Sequence, residues 1–363
     1  MKIAFLQGTL ENGGAEIMTR ELTKALKREK NDVSIISLRA VGDLKKDYDA
    51  LKIPVYAGLL KYKFDVFALR RLRRLLSALA LDMLIIVDPL KNSLSMLGTV
   101  FRVMKNRPAT LLWSHSIPGG QMGQYVPRVQ KALKKWLDEI VCISVAQKEI
   151  LMQMGISSTK LKVVNNGIQI DKFKKCALKL DSKKNISDQA FKFIQVANVM
   201  PDKDFETLFA ACKLLQEDQL NFELTLVGRG TDSAEIYNQI PADLKVNCLG
   251  ARSDISNLLA NADGFVLASK SEVQSVSTLE AMVAGLPVVV PNLPGFYEIC
   301  TDNFDCLKYK VSDPHDLSLK MQKLITDPKI ANDLAINAVK SGLKFSADKM
   351  CHKFIDIICK NER

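Results

Sequence analysis

The stretch SEVQSVSTLEAM, residues 271–282, places Glu272 and Glu280 with seven residues between them and a row of hydroxyl side chains in the gap. Ionised carboxylates accept hydrogen bonds from hydroxyls and can steady nearby positive charge. A local reading comes first. Ser277-Thr278-Leu279-Glu280 spells a capping box, in which a Ser hydroxyl and a Glu carboxylate satisfy each other's orphan amides at a helix start. That explains Glu280 and leaves Glu272 without a role.

Other chemistry-bearing residues fall just after apolar, strand-like runs. In QGTLENGGAEIMTREL, Gly13 and Gly14 separate a strand from a helix opening near Ala15, where backbone amides could approach a phosphate, although a Gly-Gly turn at such a junction is commonplace. In LLWSHSIPGGQMG, His115 ends a strand ahead of a Gly-rich loop and could exchange a proton or hydrogen-bond a hydroxyl. Packing is the commoner fate of a lone histidine, and His315 and His352 read as structural. In QVANVMPDKDFETLFAA, Asp202-Lys203-Asp204 imitates a D-x-D metal motif, but a Lys between the carboxylates opposes a divalent cation. Asp204 reads as a helix N-cap, which leaves Lys203 to pair with a diphosphate. LTLVGRGTDSAEI offers Gly228-Arg229-Gly230, yet Ser233 stands where a dinucleotide fingerprint needs its third Gly; Arg229 could face a phosphate instead.

These loops must be held by a scaffold, and the apolar pattern supplies one. Strand-like runs (KIAFLQG, DVSIISL, DMLIIVD, TLLWSH, EIVCIS, LKVVNNG) alternate with helical patterns over 15–29, 65–80 and 128–138, and a second series follows (FKFIQVANV, FELTLVG, VNCLG, GFVLAS, LPVVVPN). Such alternation predicts an α/β architecture with parallel sheets, whose ligands bind at the carboxyl ends of the strands. Two doubly wound domains are expected, over 1–170 and 191–345, joined by a Lys-rich linker at 171–190. The terminal segment 346–363 reads as an amphipathic helix returning to the first domain.

At 363 residues with 47% hydrophobic and 25% charged side chains, the composition is that of an ordinary globular protein. LLSALALDMLIIV is too short to span a bilayer and carries Asp82, and the apolar start MKIAFLQG lacks the form of a leader. A cytoplasmic protein is expected. The eight cysteines are scattered, without a C-x-x-C pair, so reduced thiols are expected ahead of disulfides or a zinc site. The net charge of +11 is unevenly spread: residues 1–170 hold 27 Lys and Arg against 14 Asp and Glu, and the remainder 24 against 26. An anionic surface, membrane or nucleic acid, is the natural partner for that half, against the plainer reading of a well-solvated face.

Taken in order, NGGAE, SHSIPGG, NNGIQIDKF, VANVMPDKDFETL, LVGRG, LGARSDISNLLANADGFVLAS, SEVQSVSTLEAMVAGLPVVV and the closing FSADKM helix resemble a retaining glycosyltransferase of family 4 over nearly the whole chain. The resemblance implies a GT-B fold, two Rossmann-like domains facing across a cleft, and the transfer of a sugar from a UDP-hexose or UDP-N-acetylhexosamine. The acceptor would be a saccharide or lipid-linked saccharide of surface-polysaccharide synthesis. It places the family's E-x7-E motif on Glu272, which would support the sugar's anomeric carbon, and Glu280, which would bind ribose. Ser275 and Val276 would offer amides to the diphosphate and Lys203 would neutralise it. His115 would contact the sugar, Gly14 would close over the phosphates, and Arg252 would flank the base. Two positions depart from the pattern: Asn198 stands where a basic residue is frequent, and Val273 where a Gly usually follows the first Glu. No cofactor and no metal are implied.

The Arg70, Arg71, Arg73 and Arg74 helix and the Lys131, Lys134 and Lys135 segment suggest docking on anionic lipid next to the acceptor. Competing readings are a sugar-nucleotide epimerase of the same fold, a non-catalytic partner subunit and a nucleic-acid binder. The last lacks any aromatic-basic module, so no nucleic acid is expected.

Overall fold

A computed structural model describes every residue except 12, 40, 43, 63, 64, 66, 88–96, 98, 117–135, 174–188, 362 and 363. Lys131, Lys134, Lys135 and most of the expected linker lie outside the described residues. The chain divides into two compact units, one of Met1–Gly167 with Ala347–Arg363 and the other of Ile168–Ser346.

The first unit is a seven-stranded sheet ordered β3-β2-β1-β4-β5-β6-β7, every neighbour parallel. Its strands are β1 (Lys2–Gln7), β2 (Asp32–Ser37), β3 (Val55–Tyr56), β4 (Met83–Val87), β5 (Ala109–Ser114), β6 (Glu139–Cys142) and β7 (Leu161–Val163). Their near-continuous apolar runs are buried because helices cover both faces. The described helices before the boundary are α1 (Gly14–Arg28), α2 (Lys45–Ala50), α3 (Ala68–Leu79) and α4 (Val145–Gln153).

The second unit carries a six-stranded parallel sheet ordered β10-β9-β8-β11-β12-β13. The strands are β8 (Phe191–Val196), β9 (Phe222–Val227), β10 (Val246–Cys248), β11 (Gly264–Val266), β12 (Val288–Pro291) and β13 (Leu307–Tyr309). Its helices are α5 (Phe205–Glu217), α6 (Ala234–Tyr237), α7 (Ile255–Ala260), α8 (Val276–Val283), α9 (Pro314–Thr326) and α10 (Pro328–Gly342). Alternate residues of β8 feed different cores, Phe193 packing under α5 and α9 and Ile194 under α8. The chain then re-enters the first unit as α11 (Ala347–Lys360), which packs on α1 and sets Phe354 against Trp113 with ring centroids 4.6 Å apart.

Each sheet reverses strand order beside its first strand, between β1 and β4 and between β8 and β11. That switch point opens a crevice at the carboxyl ends of the strands. The architecture is the doubly wound pair that the apolar alternation predicts. β3 and β13, of two and three residues, are not among the expected strands.

Candidate active site

In the second unit the loops after β8 and β11 are sewn together. The Ser269 hydroxyl donates to the carbonyls of Asp202 and Ser271 at 2.9 and 3.0 Å, and the Lys270 amide donates to the Asp202 carbonyl at 2.8 Å. From beneath, Gln195 Oε1 accepts from the Ala268 amide at 2.7 Å. This stitching brings Lys203 Nζ onto Glu272 Oε1 as a half-buried ion pair. A third segment wedges in behind. A Cβ on Gly295 would sit 2.7 Å from the Val273 carbonyl oxygen and closer still to that of Glu272, so only glycine fits there.

Asp204 caps α5, accepting from the Thr207 amide at 3.4 Å and from the Ser312 hydroxyl at 2.8 Å, with Lys270 Nζ 3.4 Å away. Burial alone would raise its pKa; the bonds from Ser312 and Thr207 outweigh that and hold it below the usual carboxylate range. It is a structural anion, and the D-x-D resemblance ends there.

The capping box read at Ser277 requires correction. Helix α8 starts at Val276, its N-cap is Ser275, and the Ser275 hydroxyl accepts from the Thr278 amide at 3.2 Å and the Thr278 hydroxyl at 2.9 Å. Glu280 therefore lies a full turn inside the helix, beyond reach of the cap. Its carboxylate makes no hydrogen bond or ion pair among the described residues. Desolvation pushes its pKa up to about 7, partly offset by the Lys172 charge. The first amides of α8, at Val276 and Ser277, lack intrahelical partners and follow Glu272 by four and five positions in the chain. Val273 is buried and is absent from the left-handed residues, so its backbone does not need glycine.

The remaining expected site residues of this unit are distributed in pairs. Asn198 Oδ1 accepts from the Arg229 amide at 2.9 Å, pinning the loops after β8 and β9 together. Gly228, at φ +144°, lies against the Ala197 carbonyl, and Gly230 takes a left-handed φ of +85°, so the G-R-G glycines serve the path of the backbone. Ser233, at the missing third glycine, caps α6 by accepting from the Ile236 amide at 3.4 Å. Arg252 is exposed and forms a two-pronged pair with Asp254, both bonds at 2.8 Å, and that pairing raises its pKa.

In the first unit, Gly13 is the extended N-cap of α1 and Gly14 its exposed first residue. A Cβ on Gly13 would run into the Glu16 carboxylate, whose Cδ lies 3.4 Å from that point. The side chain of Glu16 thus folds back over the helix start, and the anion nearest those amides is the protein's own. His115 follows β5 with its ring 4.8 Å from that of Trp113. Burial lowers its pKa to about 3, and its buried Nε2 has no hydrogen-bond partner among the described residues. At neutral pH it is an uncharged imidazole able to exchange hydrogen bonds with a hydroxyl.

Two family models tile the chain, one described as Glycosyltransferase Family 4 over residues 12–172 and one as Glycosyl transferases group 1 over residues 178–341. The chain belongs to the family 4 glycosyltransferases. Among curated relatives, the N,N'-diacetylbacillosaminyl-diphospho-undecaprenol alpha-1,3-N-acetylgalactosaminyltransferase of Campylobacter jejuni is 27% identical, covering 98% of this chain and 99% of its own. The UDP-Gal:alpha-D-GlcNAc-diphosphoundecaprenol alpha-1,3-galactosyltransferase of Escherichia coli is 24% identical over 99% and 97%. Among solved structures, Anabaena HepE in complex with UDP-glucose superposes with TM-score 0.84 at 19% identity over 99% and 100% of the two chains. WaaG, a glycosyltransferase of lipopolysaccharide biosynthesis, superposes with TM-score 0.77 at 14% identity over 98% and 99%. These likenesses fix the GT-B fold.

Some residues that shape this glycosyltransferase give no signal in the sequence. Buried Gln147 on α4 donates to the carbonyls of Ser114 and Ser116 at 3.0 and 2.9 Å and to the Ser114 hydroxyl at 3.0 Å, while accepting from the Ile143 amide at 2.8 Å. It fixes the backbone on both sides of His115. Gly295 and Ser269 do the same for Glu272, from segments that no local spacing links to it.

Arg71 of α3 is likewise committed inward. It pairs with buried Asp65 and donates to the Leu59 carbonyl at 2.8 and 3.1 Å, so of the four arginines of α3 only Arg70, Arg73 and Arg74 are exposed.

Proposed function

We propose that the protein transfers a hexose or N-acetylhexosamine from its UDP-sugar to an undecaprenyl-diphosphate-linked saccharide, with retention of anomeric configuration. No divalent metal takes part at the donor diphosphate in this reading. The observation that carries it is the Lys203–Glu272 pair, in the loop that leads into the first amides of α8. A diphosphate arriving there meets a cation and helix-end donors placed where negative charge builds as the glycosidic bond breaks. Each charge-assisted hydrogen bond contributes about 1.5–3 kcal/mol. Giving Lys203 to the diphosphate frees the Glu272 carboxylate to face the sugar. Glu280, with its raised pKa and no hydrogen bond or ion pair among the described residues, is suited to receive ribose hydroxyls. His115, Gly13, Gly14, Asn198, Arg229 and Arg252 belong to the same reading as sugar, phosphate and base contacts. The two full-length relatives that act on undecaprenyl-diphosphate sugars support the acceptor class.

The acceptor lipid lies in a membrane, and no described helix is long and apolar enough to cross one. Phe67, Arg70 and Arg74 recur at helical spacing around α3; Phe67 is 60% exposed and nearby Tyr62 59%. Exposed aromatics beside arginines suit an anionic lipid surface, and peripheral contact from the cytoplasmic side completes the proposal.

The test is a transfer assay with UDP-sugars and a synthetic undecaprenyl-diphosphate saccharide in EDTA, the product's anomeric proton being read by NMR. Turnover that persists in EDTA and yields the donor's anomeric configuration supports the reading; an absolute metal requirement or inversion overturns it. Thermal shifts with UDP, GDP and ADP name the base, and liposome flotation of an Arg70→Glu, Arg73→Glu, Arg74→Glu variant checks the membrane face. Unchanged flotation removes that part.

A further inference from the structure

Cys300, Asp305 and Cys306 lie between β12 and β13, outside every group used above. All are buried, at 3%, 2% and 0% exposure, and one ligand atom from each lies within 4.8 Å of the others. Five residues separate the cysteines, a spacing that suggests no ligand set; the fold of the turn brings them together. The Asp305 carboxylate accepts from the Thr301 amide at 2.6 Å, and the Asn303 amide donates to the Cys306 carbonyl at 2.8 Å. The surrounding core includes Leu286, Val290, Phe296, Ile299 and Ala338, and the Lys308 charge is near enough to act on Cys306. Among the described residues the Asp305 carboxylate receives that one hydrogen bond and no ion pair, an unusual state for a buried anion.

We propose that Cys300, Asp305 and Cys306 bind a thiophilic divalent cation of the zinc type as a structural site. Two thiols and one carboxylate form a mixed sulfur and oxygen set suited to such an ion. On binding, the two thiol protons leave to solvent and the Sγ atoms coordinate as thiolates. Two thiolates, a carboxylate and a doubly charged cation leave a net charge of −1. Bonds of about 2.3 Å to sulfur and about 2.0 Å to oxygen set tetrahedral ligands about 3.3–3.8 Å apart, so the cluster needs only a small contraction. The Phe296 carbonyl, 3.7 Å from Cys300 Sγ, or a water supplies the fourth ligand.

The position gives the ion a mechanical consequence. The Phe296 carbonyl also accepts from the Cys300 amide at 3.0 Å, and Gly295, the preceding residue, presses on the backbone of Glu272 and Val273. An ion at this site braces from behind the turn that supports Glu272.

The experiment uses the whole chain, purified with a reductant and no chelator. Metal content is measured by mass spectrometry, and cobalt is exchanged in to look for thiolate-to-cobalt charge-transfer absorption. One ion per chain and a cobalt–thiolate band are expected in the wild type and in Cys359→Ser, whose thiol is exposed. Both signals are expected to vanish in Cys300→Ser and Cys306→Ser. Asp305→Asn keeps an acceptor for the Thr301 amide and so tests the ligand in a folded chain; it should weaken cobalt binding while its circular dichroism stays that of the wild type. A folded wild type with no stoichiometric metal and no cobalt band overturns the proposal. So does metal retained by a Cys300→Ser, Cys306→Ser double variant, or peptide mapping that finds the two cysteines joined as a disulfide.

Discussion

At the carboxyl end of the second sheet, charged groups are held ready: Lys203 on Glu272, Asp204 under Ser312 and Lys270, and three loops tied by hydrogen bonds that Ser269 donates and that Asn198 and Gln195 accept. At the carboxyl end of the first sheet, His115 stands uncharged against Trp113, its backbone fixed by a single buried glutamine. The difference suits the two tasks of the proposed reaction. Stabilising a diphosphate requires charge fixed in advance, because reorienting dipoles during bond breaking costs free energy. Meeting neutral hydroxyls requires shape and hydrogen-bond capacity without strong charge.

The contrast can be broken or sharpened by substitution. The first unit leans on aromatic packing, so Phe354→Ala, which empties the space against Trp113, is expected to cost about 3–5 kcal/mol in denaturant unfolding. A cost under about 1 kcal/mol would show that α11 is dispensable to that core. The second unit leans on charge: Lys203→Met is expected to lower kcat by about 10²–10³-fold, comparable to losing one preorganised donor, with little change in melting temperature. A variant that turns over normally breaks the proposed division of labour.

Glu280 sharpens it through pH. Its folded pKa of about 7 lies above the ordinary carboxylate value, so the native state binds the extra proton. The resulting stability is complete below about pH 4 and is lost as pH rises through 7, for a total of about 3 kcal/mol at most. Glu280→Gln is therefore expected to raise the melting temperature at pH 8 and leave it nearly unchanged at pH 5, while weakening UDP binding at pH 8. A melting profile parallel to the wild type across that range sinks the assignment. The smallest expected effect is at Gly295→Ala, where the added methyl meets the Glu272 and Val273 carbonyls. Displacing that backbone is expected to cost about 1–3 kcal/mol, read by calorimetry, and to raise KM for the donor. Unaltered stability and KM together would show that the wedge is slack.

Much of this was legible in residue order. Apolar runs alternating with helical periods gave away the parallel sheets, since a strand buried on both faces has to be apolar along its length. Lys203 and His115 could be singled out because each follows a strand, where such sheets bind ligands, Asp204 as a helix cap, and Glu272 by its spacing from Glu280. The helix cap could not: Ser277-Thr278-Leu279-Glu280 matches a capping box as well as any sequence can, yet the helix begins one residue after Ser275, and the hydroxyl that caps it is fixed by that geometry. Arg71 looks like its neighbours on α3 and differs only because Asp65 lies beneath it.

The sequence by itself determined the two-sheet architecture and the placement of its reactive residues at strand ends, because periodicity and junction chemistry are local properties of the chain. Tertiary structure alone decided that Lys203 meets Glu272 across 69 positions, that Gly295 supports that carboxylate's backbone, that Glu280 titrates near neutrality, and that Cys300, Asp305 and Cys306 share one buried point. Pairing, desolvation and close approach depend on distances between segments far apart in sequence, and those distances exist only once the sheets have formed.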